Sequence, residues 1–281
     1  MPTIAHLGPH TLSATAAEKF LQDMGLVKDY CLCNTVEEIL TRLRNEECFW
    51  GALPALYIDG DRAALEMFFH WCTAVPYLEI VGAMPVRPSL FLWGLPDASL
   101  EQIDIVLANL DTITVCQRKL FDLGLKTFQA DVLHTAEAAR RLAETGRANL
   151  AVIAPSRAGT AYGLKKLIPE PLNQPPRDTV VYFIGRDPVG PQSPGNECML
   201  AVWNTPSIVA TVNDFLHQTS AQLRTQFSVG ATLEREWMIY ILRGHHSLPP
   251  LDDFLICVEE GIGAHRMRVL GSYYLFDLLE C

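Results

Sequence analysis

Two short stretches place hydroxyl side chains where an anion could be held. Thr11-Leu12-Ser13 and His134-Thr135 each stand directly before a segment of helical character. At a helix N-terminus, side-chain oxygens and unpaired backbone amides serve equally as a cap or as an anion cradle. An ordinary cap is the plainer reading of both. Arg87 is the third candidate. It lies between Pro85 and Pro88 in an otherwise apolar stretch, where a guanidinium needs a partner; a structural ion pair and a substrate carboxylate fit it equally well. His245 and His246, followed by Asp252 and Asp253, are of metal-ligating type. Adjacent side chains rarely converge on one ion and Pro249-Pro250 marks a loop, so no metal is expected there. The eight cysteines (31, 33, 48, 72, 116, 198, 257 and 281) form no C-x-x-C and no Cys/His set at zinc spacing; buried reduced thiols are expected rather than a disulfide framework. Gly261-Ile262-Gly263 runs on to Arg266 where a third dinucleotide-fingerprint glycine would stand, and neither a Walker A nor a G-x-S-x-G motif occurs. Common nucleotide and serine-hydrolase chemistry therefore has no signature here.

These residues need a scaffold, and 281 residues suffice for about two domains with real cores. Hydrophobic residues make up 49% and charged residues 19%, well inside the folded range. The net charge of −10 has the wrong sign for a protein that neutralises phosphates, so no nucleic-acid partner is expected. Six lysines, none after Lys166, leave no basic tail for an anionic membrane. No apolar run reaches the ~18 residues of a membrane span; the run Leu90 to Leu95 stops at Pro96 and Asp97. The opening MPTIAHLGPH lacks the basic and apolar regions of a secretory signal, and a cytoplasmic location is expected. An anionic substrate must then be met by a few local donors.

Along residues 1–185 short apolar runs alternate with helical patterns, predicting an α/β layer architecture with largely parallel sheets. Strands are expected at Thr3–His6, Phe49–Leu53, Ser89–Trp93, Thr112–Cys116, Leu150–Ala154 and Thr179–Ile184. Thr15 with Glu18 and Thr35 with Glu38 fit capping boxes that start helices. The stretch GRDPVGPQSPGNE (185–197) carries three Pro and three Gly, where neither helix nor strand propagates, and it separates a domain over 1–185 from one over 196–281. In the second, strands at Cys198–Trp203, Arg235–Leu242 and Arg266–Leu270 and helices at Ser207–Leu223 and Leu251–Glu259 predict a small α+β sandwich.

Four segments together resemble the prephenate dehydratase family. LGPHTLSATAAEKFL (7–21) is similar to the family's LGPxGTFSxxAA segment, lacking one Gly. LHTAEAARRLAETGRANLAVIAPSRAGTAYGLKKL (133–167) is similar to its STxxAA...AAIA...A..YGL run. Thr179 to Gly185 stands where the family has its TRF motif, and RVLGSY (268–273) resembles the end of an ACT domain. The resemblance implies an α/β, two-lobed, periplasmic-binding-protein-like catalytic domain followed by an α+β ACT-like regulatory or dimerisation domain. It also implies a homodimer or homotetramer, and no cofactor, because the substrate's own ring is the electron sink.

The departures from the family pattern bear on function. Prephenate can lose carbon dioxide with or without its ring hydroxyl, and in the dehydratases the TRF Thr assists departure of the hydroxyl while the Arg helps hold the substrate. Thr179 stands at the Thr and Val180 at the Arg, and valine binds no carboxylate; Arg177 substitutes only in a shifted register. The family's PIENS pocket wall reads Pro54-Ala55-Leu56-Tyr57-Ile58. That pattern resembles the non-aromatising prephenate decarboxylases of the bacilysin pathway and related antibiotic and natural-product pathways. Those enzymes lack TRF, carry a Pro followed three residues later by Tyr and then Asp-Gly, and have a Val-Arg-Pro triplet; here stand Pro54, Tyr57, Asp59-Gly60 and Val86-Arg87-Pro88, with one extra residue between Tyr57 and Asp59. The resemblance implies that Arg87 anchors the anionic substrate with Thr11, Ser13 and the backbone amides of Thr135 and Ala136. It further implies that Pro54 lines the pocket and that Tyr57, His134 and Thr179 take part in catalysis, lobe packing being the other reading of Tyr57 and His134. Cys198-Met199-Leu200 and Phe227-Ser228-Val229-Gly230 replace the family's phenylalanine-binding GAL and ESRP motifs, so an ACT-like domain that no longer senses phenylalanine is expected. A divergent dehydratase making phenylpyruvate and a catalytically inactive ACT-containing binding protein are the alternatives.

Overall fold

The computed structural model describes residues 4–55, 77–173, 178–186, 195–229 and 236–280. In chain order the elements are β1 (Ile4–Leu7), α1 (Leu12–Asp23), β2 (Tyr30–Cys33), α2 (Val36–Arg44), β3 (Trp50–Ala55), β4 (Glu79–Arg87), β5 (Leu90–Gly94), β6 (Ile105–Leu107), α3 (Leu110–Asp122), β7 (Phe128–Gln129), α4 (Thr135–Thr145), β8 (Leu150–Pro155), α5 (Ser156–Ala161) and β9 (Lys165–Lys166). They continue with β10 (Thr179–Gly185), β11 (Glu197–Trp203), α6 (Pro206–Thr219), β12 (Gln222–Val229), β13 (Trp237–Arg243), α7 (Leu251–Ile262), β14 (Met267–Leu275) and β15 (Leu279–Glu280). Tertiary contacts gather them into two compact units. The first holds β1 to β3, most of α1 and β4, and β10 to β14; the second holds the start of α1, β5 to β9 with their helices, and β15.

The second unit is a three-layer α/β body. Its sheet runs β7-β6-β8-β5-β9, with β6 parallel to β7 and β8, and β5 antiparallel to β8 and β9. β8 is buried at every position, as a strand covered on both faces must be. Alternation divides β5 between the two faces: Leu90 and Leu92 pack with Ile113, Cys116 and Leu120 of α3, whereas Phe91 and Trp93 pack with Ala136, Ala139 and Leu142 of α4 and Ala158 of α5.

The first unit carries the order β2-β1-β3-β10-β4-β14-β11-β13-β12. At its centre Phe20 of α1 stacks on Phe183 of β10 at 4.1 Å, and Phe276 meets both rings edge-on. The C-terminal elements β11-α6-β12-β13-α7-β14 follow the βαββαβ order of ferredoxin-like folds, with α6 and α7 packing on one sheet face through Val212, Leu216, Phe254 and Val258. Their sheet is continuous with that of the N-terminal elements, because Tyr274 and Leu275 of β14 pair in parallel with Gly82 and Ala83 of β4. Gly271, at φ +140, makes this junction possible: a Cβ there would lie 2.4 Å from the Ile80 carbonyl oxygen.

Several local expectations need correction. Thr112–Cys116 lies inside α3, not in a strand; Asn109 caps the helix by accepting from the Thr112 backbone N–H, and Thr112, Ile113, Cys116 and Leu120 form its buried face. Its β-branched residues suit a strand, but Thr112, Ile113, Cys116 and Leu120 recur at helical spacing and are buried together. α1 starts at Leu12, so Thr15 is internal and its hydroxyl donates to the Thr11 carbonyl. Thr35 does cap α2, although the Glu38 carboxylate accepts from the Asn34 N–H rather than from Thr35 itself. α6 stops at Thr219, where Ser220 turns left-handed (φ +59), and Leu223 belongs to β12.

Candidate functional site

In the second unit, two helix N-termini meet around the turn that follows β1. Thr11 precedes α1, and its buried hydroxyl donates to the Leu7 carbonyl (2.8 Å) or the Gly8 carbonyl (3.0 Å) while accepting from the Ala14 N–H at 3.2 Å. Ser13 is buried beside it, with 3.2 Å between the two hydroxyl oxygens, and accepts from the Leu7 N–H. These hydroxyls are therefore committed to shaping the turn, and the amides at the start of α1 are the groups left to meet a ligand. His10, inside the turn, adopts a left-handed φ of +63 and sets its ring edge-on to Tyr162 at 5.7 Å.

His134 reaches the same turn from α4. It is the N-cap of that helix, its Nδ1 accepting from the Glu137 N–H at 3.0 Å, while the Glu137 carboxylate accepts from the Leu133 N–H. A neutral ring that accepts at Nδ1 carries its proton on Nε2, and Nε2 lies 3.7 Å from where a Gly8 Cβ would be. Burial, with a smaller contribution from Arg140, pushes the His134 pKa below the ordinary histidine value, against Glu137. His134 is thus held as a neutral Nε2–H donor beside the Gly8–Thr11 turn, with the Thr135 and Ala136 amides behind it. Arg157 of α5 adds a cation at the edge of this cluster, its Nη1 donating to Thr15 Oγ1 at 3.4 Å.

Arg87 has found partners within the protein. At the end of β4 its Nε and Nη2 grip both oxygens of Asp178 at 2.6 and 3.0 Å, and its Nη1 lies 3.6 Å from Glu280. The pairing of β15 with β4, Glu280 opposite Arg87, brings the last carboxylate in. Hydrogen bonding to Asp178 raises the Arg87 pKa above its ordinary value. Asp178 immediately precedes Thr179, a buried residue that opens β10, so this ion pair fixes the approach to Thr179. Val180 is 8% exposed and pairs with Ala55 across β3, and Val181 pairs with Pro54.

The structure thus brings Thr11, Ser13, His134, Thr135 and Ala136 into one cluster, and pairs Arg87 with Asp178, the residue that precedes Thr179 in the sequence. Pro54 lies on β3 in the first unit. Tyr57 and Arg177 fall outside the described residues. Arg157 and His10 were not singled out by the sequence reading; only the tertiary fold brings the arginine to α1. His245 and His246 stack at 4.6 Å and hydrogen-bond to Ser247 and Ser272, and no group of three metal-ligating side chains occurs among the described residues.

The sequence profile of the prephenate dehydratase family matches residues 4–184. The chain belongs to the prephenate dehydratase family. Its solved structural neighbours include the prephenate dehydratase of Arthrobacter aurescens in complex with L-Phe (18% identity, TM-score 0.82, 97% of this chain and 89% of the other). They also include that of Staphylococcus aureus subsp. aureus Mu50 (14%, TM-score 0.73, 96% and 99%). A third is GqqA, described as a novel type of quorum quenching acylase (20%, TM-score 0.74, 98% and 98%). Identities this low show the fold alone. A comparison with curated proteins found no match. This prephenate dehydratase family member has the family's two-lobed α/β catalytic domain with mixed sheets, and its family points to a lyase acting on prephenate. No helix among the described residues is long and apolar enough to cross a membrane.

Proposed function

We propose that this protein is a prephenate decarboxylase that releases carbon dioxide from the ring without expelling the ring hydroxyl. The observation that carries the reading is Val180: the position after Thr179, where the family's TRF arginine stands, holds a buried strand valine. A dehydratase must make the hydroxyl a good leaving group. Decarboxylation alone needs the bond between ring and carboxylate to break, its electron pair to form a new ring double bond, and the displaced π pair to take one proton at a ring carbon. Prephenate and one proton then give carbon dioxide and a dihydro-4-hydroxyphenylpyruvate.

Such a site must hold the pyruvyl carboxylate, leave the departing carboxylate without strong solvation, and supply no acid to the hydroxyl. The neutral donors at the starts of α1 and α4, the amides beside Thr11, Ser13, Thr135 and Ala136 together with His134 Nε2–H, suit the first task. Thr179 can hydrogen-bond the hydroxyl without protonating it. Tyr57 is assigned to the ring or to the proton, and Pro54 to the pocket wall. Arg87 serves in this reading as a positioning residue that holds Asp178 and hence the start of β10. The C-terminal βαββαβ elements are assigned as an ACT-like dimerisation domain over residues 196–281 that no longer senses phenylalanine.

The retained Thr179 is what favours the second reading, a divergent dehydratase. Incubating the pure protein with prephenate at neutral pH and identifying the product by mass and ultraviolet spectrum separates the two. A dihydro-4-hydroxyphenylpyruvate is expected, and stoichiometric phenylpyruvate would overturn the proposal.

A further inference from the structure

We propose that Lys166 is the counter-charge for the pyruvyl carboxylate of the substrate, an assignment that rests on the reading of this site as one for prephenate. Prephenate carries two carboxylates, and the arginine expected to anchor it is gripped by Asp178 and Glu280. Lys166 differs from its neighbours in how its charge is met. It lies on the edge strand β9 opposite Trp93 of β5, half-buried, with its ammonium 3.3 Å from the centre of the Phe91 ring and 5.5 Å from that of Trp93. No carboxylate lies within ion-pair reach of Lys166 among the described residues. Lys165, by contrast, spends its ammonium on the Ala98 carbonyl at 3.1 Å, Arg140 pairs with Glu144 and Arg141 with Asp131.

An ammonium seated on a ring face has its charge partly stabilised by the quadrupole and keeps N–H donors for an anion. Placement links it to the helix N-termini already described. Phe91 belongs to the core cluster that contains Ala136 at the start of α4 and Ala154 at the end of β8, and Phe91 pairs directly with Ala154, three residues before Arg157. Lys166 therefore stands on the α4 and α5 face of the sheet.

Chemistry decides which carboxylate it takes. A full positive charge on the departing carboxylate would stabilise the ground state and lose its partner as neutral carbon dioxide forms, slowing the reaction. The pyruvyl carboxylate keeps its charge throughout and persists in the product, so a cation there binds substrate, transition state and product alike. Lys166→Met keeps the aliphatic stem over Phe91 and removes only the charge. It should raise KM for prephenate about ten- to hundredfold with kcat within about threefold of wild type, and weaken calorimetric binding of phenylpyruvate, which shares only the pyruvyl carboxylate, by a similar factor. Lys166→Arg should recover most of both. Unchanged phenylpyruvate affinity in Lys166→Met would overturn the assignment, as would an unaltered KM or a wild-type protein that binds neither compound. Formation of phenylpyruvate by an enzyme whose KM depends on Lys166 would overturn only the decarboxylase reading, and the expected diene product with an unaltered KM would overturn only this one.

Discussion

Gly159 tests the wall beneath Lys166 because two opposing forces act on one methyl group. It lies in α5, where alanine is the better helix former by about 1 kcal/mol, so propensity alone makes Gly159→Ala stabilising. Space dictates the opposite. A Cβ at Gly159 would lie 2.2 Å from two ring carbons of Trp93 and 2.6 Å from a third, more than an ångström inside ordinary contact. Trp93 has little freedom to yield: it is 3% exposed, its indole N–H donates to the Ala154 carbonyl at 2.9 Å, and Phe91 stands edge-on to it. Overpacking of this kind costs about 1–3 kcal/mol, and a ring shift that breaks the indole hydrogen bond adds roughly 1–3 kcal/mol for the stranded donor. After the gain in propensity, a net loss of roughly 1–5 kcal/mol remains, which for a chain of this size lowers Tm by roughly 2–15 °C. Urea and thermal unfolding of wild type and Gly159→Ala measure it, and the displaced indole should also raise KM for prephenate through Phe91 and Lys166. Equal or greater stability in Gly159→Ala would refute the packing of α5 on Trp93.

Two further outcomes follow from the site. Arg87→Ala and Asp178→Asn should depress kcat to similar extents and leave KM within about threefold, because both release the start of β10 rather than a substrate contact; a tenfold rise in KM in Arg87→Ala without one in Asp178→Asn would return Arg87 to the role of anchor. His134 is held neutral by burial, with its pKa lowered, so the folded state binds fewer protons than the unfolded one as pH falls from the ordinary histidine value towards the lowered one. Stability contributed by the neutral ring is present above about pH 6.5 and is lost as pH falls through that window; His134→Asn, which keeps a capping oxygen, should show a shallower fall in Tm between pH 7.5 and 5, and identical slopes would count against the assignment.

Elements whose stabilisation is local were legible in the sequence. Thr35 caps α2 because the hydroxyl, the Glu38 amide and the apolar face of Ile39, Leu40 and Leu43 lie within nine residues. β8 and β10 read correctly as unbroken apolar runs, since strands covered on both faces show no alternation. Elements decided at a distance were not. The segment over 112–116 carries β-branched residues that suit a strand, and only the sheet face it packs on makes it the buried stripe of α3. The join of β14 to β4 rests on a glycine at φ +140 pressed against the Ile80 backbone, and the glycine of RVLGSY does not announce its partner. Composition therefore locates a Pro- and Gly-rich break near residue 190, while the hydrogen bonds of the sheet run past it.

The same distinction governs the site. Thr11 and His134 stood out because capping and anion binding use the same atoms, and the structure shows the capping half of that chemistry occupied by Leu7, Ala14 and Glu137. Arg87 stood out because it is isolated along the sequence, surrounded by Pro and apolar residues. In space it is bound to a carboxylate 91 residues away and to a second from β15. Lys166 shows the reverse: a lysine in a polar pair, unremarked in the sequence, whose ammonium meets a ring instead of a carboxylate. In a chain with a net charge of −10, Arg87, Arg140 and Arg141 of this unit are claimed by the protein's own carboxylates, whereas Lys166 meets the Phe91 ring and keeps its N–H donors for an anion from outside.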